Sequence, residues 1–415
     1  MQIETAARPT LYYGWKMVAA CFVVASMAWS FGLFGASVYL PVISRSHGWP
    51  ISLISSAVTC FYLVSALSAV FVGSSINRFG PRPIMLGGTL AMAAGVAAMG
   101  QVREPWQVYI AFLTLGLGWA SLSSTAISTA LAPWFDKHQG RAISTALMGA
   151  SVGGIVGVPA LLFTIEQAGF ATAVAGAGVL CLVILLPLVL TLRARPADLG
   201  LLPDGASQAQ SMSSSRSEPT WTRRAAARTK MFRSVAVAFG LAFLVQVGFL
   251  THHVAFLSPR LGDRGASLTV SATAIMAFLG RIVLARYVDR LAPRQVACGV
   301  FCLGAAALGI LSVAASSAVA LVIASLAYGL TVGNVTTLPS IIVRREFGAV
   351  SFGAVYGLVA MIIGLSTAIG PSFYGVLFDL SGSYRLPMLM AAALNCAAAG
   401  IILAWQRSSS VPHTA

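Results

Sequence analysis

The sequence predicts an all-α integral membrane protein with 12 transmembrane helices arranged as two six-helix bundles. Of the 415 residues, 58% are hydrophobic and only 9% are charged, whereas about a quarter of the residues in a soluble domain are charged. Apolar runs of about 20 residues, the length that crosses a bilayer as helix, recur along nearly the whole chain. Two sequence landmarks also repeat at one spacing, which indicates that the second half of the chain duplicates the first.

Twelve apolar runs separated by short polar joints are predicted as membrane spans, numbered 1 to 12 in chain order. The first run is too long for the core of a signal peptide, and no small-residue cleavage site follows it, so it is predicted as a retained helix. The predicted spans are 16–43, 51–72, 83–101, 106–132, 141–164, 170–192, 234–258, 268–287, 295–314, 318–341, 352–377 and 386–405.

Basic residues are distributed unequally between the two sets of joints. The joints on the side of the N-terminus hold 20 of the 26 Lys and Arg residues, the opposite joints hold five, and Arg281 lies within a span. Because basic residues accumulate on the cytoplasmic side, we predict a multi-pass protein of the cell inner (plasma) membrane with both termini in the cytoplasm. The net charge of +15 is therefore an orientation signal, and no nucleic-acid partner is expected.

Two unrelated landmarks recur with the same offset. NRFGPR at 77–82 corresponds to DRLAPR at 289–294, and Pro159 corresponds to Pro371; the offset from 77 to 289 equals the offset from 159 to 371. A six-helix unit that is duplicated returns with the same orientation, so the halves are predicted to be parallel repeats. The predicted units are an N-terminal six-helix bundle over 1–192, a cytoplasmic linker over 193–233 and a C-terminal six-helix bundle over 234–415.

The spans, the repeated joints and the basic linker together resemble the major facilitator superfamily across almost the entire chain. The resemblance implies the fold of that family and transport by alternating access. The first joint matches the family pattern at Gly73, Arg78, Gly80 and Arg82, but Asn77 stands where the family usually has Asp. Charges at these helix ends are expected to pair with the neighbouring half and not with substrate. The residues to which we assign a gating or structural role are Asn77, Arg78, Arg82, Asp289 and Arg290.

Arg281 lies inside span 8, well ahead of the basic joint that ends this span. It could snorkel to the cytoplasmic surface, but helical side chains lean toward the N-terminus of their helix, which here means toward the membrane centre. A buried arginine costs at least about 2.5–3.5 kcal/mol and normally has a partner. All 11 Asp and Glu residues fall in joints or at span edges. The missing counter-ion is therefore predicted to be the substrate.

Around Arg281 the sequence resembles the monocarboxylate transporter and oxalate/formate antiporter branch of the superfamily. Gly280, Arg281, Ala285 and Asp289 carry the resemblance, together with WFDKHQGRAIS at 134–144. It implies that Arg281 binds a substrate carboxylate. Two departures are informative: Ala277 replaces an aspartate of the animal carriers, and 352–377 lacks the lysine of the oxalate carriers. A single cation favours a monoanion, and the missing aspartate disfavours proton coupling by that route.

Other polar residues within the spans are candidates for the substrate site. His252 and His253 in span 7 point about 100° apart, and the sequence does not decide which of them faces the cavity. Either could assist carboxylate binding and carry a proton; the alternative is a structural histidine packed near the outer interface. The full set of predicted substrate-binding residues is Arg281, His252, His253, Asn334, Tyr356, Tyr328, Tyr39 and Ser123.

The predicted function is secondary active or facilitative transport of a small organic monoanion, a monocarboxylate, through alternating exposure of a central site. No phosphate-binding loop is present, so ATP is not expected to drive transport directly. We expect no cofactor, metal or catalytic residue, and therefore no enzyme. The expected partners of a monomeric protein are the substrate anion, a coupled proton or counter-anion, and the lipid bilayer. The alternative function is an efflux pump of the same superfamily for a lipophilic compound.

Overall fold

The computed structural model describes residues 12–135, 138–205, 221–287, 291–313 and 317–404. All regular secondary structure in these ranges is helical, which confirms the predicted fold class. The helices are α1 Tyr13–Phe31, α2 Leu33–His47, α3 Ile51–Phe79, α4 Pro81–Met99, α5 Pro105–Leu122, α6 Ser124–Leu131, α7 Gln139–Leu147, α8 Gly149–Ala168, α9 Phe170–Thr191, α10 Arg223–Arg228, α11 Lys230–Tyr287, α12 Pro293–Val313, α13 Ala318–Ser381 and α14 Arg385–Ala404.

The predicted number of membrane crossings is confirmed. Within the described ranges, 11 helical stretches are long and apolar enough to cross a membrane. One of them, Lys230–Leu284, has 55 residues, which is about 80 Å of helix at 1.5 Å per residue and far more than one crossing needs. It is interrupted at Gly262, where φ is 69°, and it therefore contains spans 7 and 8.

The helices correspond to the predicted spans in order. Span 1 is α1 with α2, span 4 is α5 with α6, and span 5 is α7 with α8; α11 holds spans 7 and 8, and α13 holds spans 10 and 11. The remaining spans 2, 3, 6, 9 and 12 are α3, α4, α9, α12 and α14. We call the side on which α1 begins the near side and the opposite side the far side.

Two glycines allow consecutive spans to follow each other with no loop between them. Gly262 turns the chain on the far side between spans 7 and 8, and Gly348 turns it on the near side between spans 10 and 11. Their φ and ψ values are 69° and 167° for Gly262 and 77° and 167° for Gly348. Side chains with a Cβ rarely adopt this conformation, so glycine is required at both turns.

Arg82 and Arg294 occupy equivalent positions in the two halves, since each is the last residue of the repeated joint. Arg82 Nε donates a hydrogen bond to the carbonyl oxygen of Leu192. Arg294 donates to both carboxylate oxygens of Glu346, at 2.6 and 2.9 Å. Its other hydrogen bonds go to Ser234 Oγ, Ile402 O and Met231 O. Each arginine thus connects near-side helix ends of its own half. The expectation that the joint charges pair with the neighbouring half is therefore wrong for Arg82, whose guanidinium reaches the end of span 6.

The other predicted joint residues are described only in part. Arg78 is exposed, and its guanidinium lies 5.0 Å from the centroid of the Phe79 ring. The side chain of Asn77, together with Asp289 and Arg290, lies outside the described residues. A gating role for these residues stays a prediction.

Candidate functional site

Arg281 contacts the middle of span 10. Its Nε lies 3.4 Å from the carbonyl oxygen of Gly333, and Gly333 is midway between Ala318 and Gly348, the two ends of that span. At 1.5 Å per residue, about 22 Å of helix separates this contact from either end. The guanidinium therefore lies at the level of the bilayer centre and not among the lipid headgroups.

Three neutral acceptors hold the guanidinium. Nη1 donates to Ser151 Oγ in span 5 at 3.1 Å, and Nη2 donates to Thr336 Oγ1 in span 10 at 3.1 Å; the carbonyl oxygen of Gly333 is the third acceptor. Arginine has five N–H donors, so one hydrogen on each terminal nitrogen has no acceptor among the described residues. Paired donors on the two terminal nitrogens can bind a carboxylate in a bidentate manner.

No carboxylate pairs with Arg281 in the part of the chain that the structure describes. The two ion pairs found there join Arg45 to Asp263 at 3.5 Å and Arg294 to Glu346 at 2.6 Å. A cation at this depth without a counter-ion is unfavourable. The guanidinium of Arg281 is therefore held by neutral groups alone among the described residues.

Glycines bring spans 8 and 10 close enough for these contacts. A Cβ added to Gly333 would overlap the carbonyl oxygen of Ala277 and lie 2.6 Å from Arg281 Cγ. A Cβ added to Gly280 would lie 2.6 Å from the carbonyl oxygen of Leu330. Because neither position has a side chain, spans 8 and 10 approach closely and the aliphatic part of Arg281 packs directly on span 10. This contact fixes the depth of the guanidinium.

The first half contributes Ser151 to the site. Span 5 packs on span 1 through glycines, since a Cβ added to Gly153 would lie 2.5 Å from the carbonyl oxygen of Ser26. Gly149 and Gly153 are one helical turn apart, so the intervening Ser151 points to the opposite face of the helix. There its buried hydroxyl meets Arg281, and the hydrogen bond links the two halves at the bilayer centre.

Asn334 and Tyr356 lie in the second half. Asn334 Nδ2 donates to the carbonyl oxygen of Leu330 at 3.0 Å, while its Oδ1 is buried without a partner among the described residues. Asn334 follows Gly333 directly, at the depth of Arg281. Tyr356 in span 11 is half-buried and packs against a hydrophobic cluster of the second half. Of these two predicted site residues, Asn334 is the one placed at the level of the guanidinium.

An aromatic layer lies on the far side of Arg281. Tyr328 and His253 both pack on Phe249, with ring centroids 4.6 and 4.5 Å away. His253 Nε2 is 3.2 Å from Ser325 Oγ, whereas its Nδ1 is buried without a partner in the described ranges. Tyr328 lies five residues, about 7.5 Å of helix rise, from Gly333. This layer covers the far-side end of the site.

Tyr39 and Ser123 are engaged within the first half. The Tyr39 ring packs near Phe112 and Phe170, with centroids 6.5 and 6.4 Å away, and its hydroxyl donates to the carbonyl oxygen of Phe31 at 3.3 Å. Ser123 Oγ donates to the carbonyl oxygen of Ala120, at the break between α5 and α6. The structure does not bring these two predicted site residues to Arg281.

His252 joins the two halves. Its Nε2 lies 3.0 Å from the carbonyl oxygen of Pro371 and 3.1 Å from Ser55 Oγ of span 2. Its Nδ1 lies 3.0 Å from the hydroxyl of Tyr384. Because a carbonyl oxygen can only accept, Nε2 carries a hydrogen, and in the neutral ring Nδ1 accepts from Tyr384. His252 is thus a fully bonded contact between the halves.

The far side is closed by contacts between the halves. Besides the contact of His252 with Ser55, they join Ser52 N to Asp379 Oδ2, Thr59 Oγ1 to Ser372 Oγ, and Arg45 to Asp263. In the described ranges, the hydrogen bonds between the halves lie between the far side and the level of Arg281. The site is therefore shut off from the far side in this conformation.

The sequence profile of the Major Facilitator Superfamily matches residues 18–355 and 263–414. The chain belongs to the major facilitator superfamily. Membership of this superfamily, predicted from the spans, the repeated joints and the basic linker, is confirmed, since the match extends over nearly the whole chain. The members of this superfamily are transporters, and the chain is a multi-pass membrane transporter.

Curated relatives include monocarboxylate carriers. The chain is 26% identical to Monocarboxylate transporter 11 of Homo sapiens over 411 residues, which is 95% of this chain and 83% of the human protein. The Mus musculus protein of the same name is 26% identical over 408 residues, or 94% of this chain and 87% of that protein. Multidrug resistance protein MdtH of Shigella dysenteriae is 29% identical over 129 residues, only 30% of this chain and 32% of that protein.

Solved structures of superfamily transporters share the fold. A bacterial homolog of the human lysosomal transporter Spinster, in an inward-facing and occupied conformation, superposes with a TM-score of 0.70 at 14% identity, covering 97% of this chain and 98% of that one. The nucleoside transporter NupG superposes with a TM-score of 0.74 at 13% identity, covering 94% and 99%. At these identities the likeness concerns the fold alone.

Sequence reasoning missed three residues of this transporter that the structure brings to the site or its closure. Ser151 lies in a glycine-rich stretch that predicts close helix packing. Its position on the helix face opposite Gly149 and Gly153 was the signal that its hydroxyl does not face span 1. Ser55 and Thr59 lie one turn apart in span 2, a polar stripe that points to a neighbouring helix. That spacing was the available signal for the far-side contact.

Proposed function

We propose that this transporter carries a small organic monoanion, a monocarboxylate, and that Arg281 binds its carboxylate. The proposal depends on one observation: a guanidinium at the bilayer centre has only neutral partners among the described residues. A charge at this depth needs an opposite charge, and two N–H donors remain for one. The similarity to relatives named for monocarboxylates supports the same substrate class.

A monoanion fits the site better than a dianion. Span 11 has no basic residue over 352–377, so it supplies no second cation for a second carboxylate. Ala277, one turn before Arg281, carries no charge and is buried. The aspartate that would accept a proton in the animal carriers is therefore missing, and His253, whose Nδ1 has no partner in the described ranges, is the proposed proton carrier if transport is proton-coupled.

The position of the contacts between the halves supports transport by alternating access. The bound carboxylate would meet Arg281 and Thr336 of the second half beside Ser151 of the first, so substrate binding would strengthen contact between the halves at the bilayer centre. With the far side closed at His252 and Ser55, substrate exchanges with the near side. We propose that the near side faces the cytoplasm of a monomer in the inner (plasma) membrane.

Counterflow into proteoliposomes tests the substrate class. Vesicles preloaded with unlabelled lactate are expected to accumulate labelled lactate, pyruvate, formate and acetate, and oxalate is expected to compete poorly. The same assay with and without a pH gradient distinguishes proton coupling from exchange. Arg281→Lys keeps the charge but removes the planar pair of donors, so it is expected to lose most uptake. Full uptake by this variant would refute bidentate binding of the carboxylate by Arg281.

Export of a lipophilic compound is the alternative function. The partial match to Multidrug resistance protein MdtH favours it. A carrier of this kind would not need the charge of Arg281, and uncharged hydrophobic dyes would compete with substrate in the same vesicles. Competition by such dyes, together with no counterflow of any carboxylate, would replace the monocarboxylate proposal.

A further inference from the structure

A basic strap, residues 221–233, forms the last part of the linker and leads into span 7. Its sequence WTRRAAARTKMFR holds five basic residues and no acidic residue. None of the five forms an ion pair within the described ranges, where the two ion pairs lie elsewhere. All five basic side chains are exposed: Arg223, Arg224, Arg228, Lys230 and Arg233.

The basic strap is fixed to the second half. The backbone N–H of Trp221 donates to Ser351 Oγ at 2.7 Å, and the indole packs edge-on against Phe347 with centroids 5.5 Å apart. Thr222 Oγ1 accepts from Ala225 N and caps the short helix α10. Ala226 is fully buried. The strap therefore presents one apolar face to the protein and its cations outward.

Both ends of the basic strap lie at the near-side ends of membrane spans. Phe347 and Ser351 flank Gly348, the turn between spans 10 and 11. Lys230 is the first residue of the stretch that crosses the membrane as span 7. The exposed cations therefore lie at the height of the lipid headgroups. A general bias for basic residues on one side of the membrane explains their number, but it does not explain why Trp221 and Ala226 hold them in a fixed array.

We propose that the basic strap binds the anionic phospholipid headgroups of the near-side leaflet. Clusters of four to eight Lys or Arg residues next to a membrane span are attracted to anionic lipid, and the strap has five. Guanidinium groups can also bind a lipid phosphate through paired N–H donors. Lipid bound here would hold the strap, and through Trp221 the turn at Gly348, against the membrane.

Lipid titration of the full-length protein tests this proposal. Protein in detergent is titrated with phosphatidylglycerol or phosphatidylcholine, and bound lipid is counted by native mass spectrometry. The parent is expected to bind phosphatidylglycerol at least tenfold more tightly than phosphatidylcholine. Each cation contributes about fivefold, so neutralising three of them is expected to abolish the preference. The variant for this test combines Arg223→Gln, Arg224→Gln and Arg228→Gln.

The matched control replaces the same three arginines by lysine. Lysine keeps the charge at these exposed positions, so the control is expected to retain most of the preference, and 0.5 M salt should weaken it in the parent and the control through screening. The proposal is overturned if the glutamine variant keeps the parental preference, if the lysine control loses it, or if the parent does not distinguish the two lipids. Displacement of phosphatidylglycerol by an equal concentration of inorganic phosphate would also overturn it.

Discussion

Gly333→Ala is expected to weaken carboxylate binding although it removes no polar group. The added Cβ would overlap the carbonyl oxygen of Ala277 and lie 2.6 Å from Arg281 Cγ and 3.1 Å from its Nε, whereas carbon atoms in contact are normally about 3.5–4.0 Å apart. Spans 8 and 10 would have to separate by about 1 Å, and overpacking of this kind typically costs about 1–3 kcal/mol. The contact from Arg281 Nε to Gly333 O is already 3.4 Å long, so the separation would break it.

A loss of affinity is expected in addition to this cost in stability. A charge-assisted hydrogen bond contributes about 1.5–3 kcal/mol, so a guanidinium displaced from its carboxylate should raise the half-saturation concentration in counterflow about 10- to 100-fold. Gly299→Ala is the matched control, because a Cβ at that position meets nothing within 4 Å; it should leave affinity and thermal stability unchanged. Parental half-saturation in Gly333→Ala would refute the reasoning that glycine packing positions Arg281.

Two further predictions concern the closure of the far side and the near-side anchors. His252→Ala removes the contacts to Ser55, Pro371 and Tyr384. A cysteine introduced in place of Ser55 should then react at least tenfold faster with an impermeant maleimide added from the far side. Unchanged labelling would contradict a role of His252 in closing the far side. Arg294→Gln leaves the half-buried Glu346 without its cation and should lower stability by about 3–5 kcal/mol, measured by thermal or denaturant unfolding in detergent. An equal loss in the equivalent variant Arg82→Gln, which removes no ion pair in the described ranges, would show that the carboxylate is not the cause.

The number of membrane crossings and the depth of Arg281 could be predicted from sequence, because both depend on numbers of residues along the apolar runs. Hydrophobic length determines how many times the chain crosses the membrane, and the position of Arg281 within its span places it away from the ends. The repeated joint relates Arg82 to Arg294, and the structure gives both residues the same anchoring role. Their partners differ, because Arg294 pairs with Glu346. The position in the first half that is equivalent to Glu346 is Trp134, which offers Arg82 no carboxylate.

The partners across the interface could not be predicted, because they depend on how the helices are rotated and which helices meet. His252 and His253 are adjacent and have the same sequence neighbours. Nevertheless His252 contacts Ser55 of the first half, whereas His253 contacts Ser325 of its own half. Tyr39 is among the residues predicted to bind substrate, whereas its ring packs on Phe112 and Phe170 in the first half. Helix rotation of this kind leaves only a weak signal in an all-apolar span.

Comparing the acid and amide forms of one substrate in the parent and in Arg281→Gln tests the central claim most directly. Stabilisation of the protein in detergent against thermal unfolding, titrated with lactate or with lactamide, measures the affinity for each compound without requiring transport. Lactamide keeps nearly the same shape as lactate, so the ratio of the two affinities measures what the carboxylate charge contributes. The parent is expected to prefer the acid at least about 100-fold, as expected for a buried charge-assisted pair of about 3 kcal/mol, and Arg281→Gln should reduce the preference to about threefold or less. A variant that still discriminates as the parent does, or a parent that binds both forms equally, would contradict the assignment of Arg281 as the carboxylate-binding group.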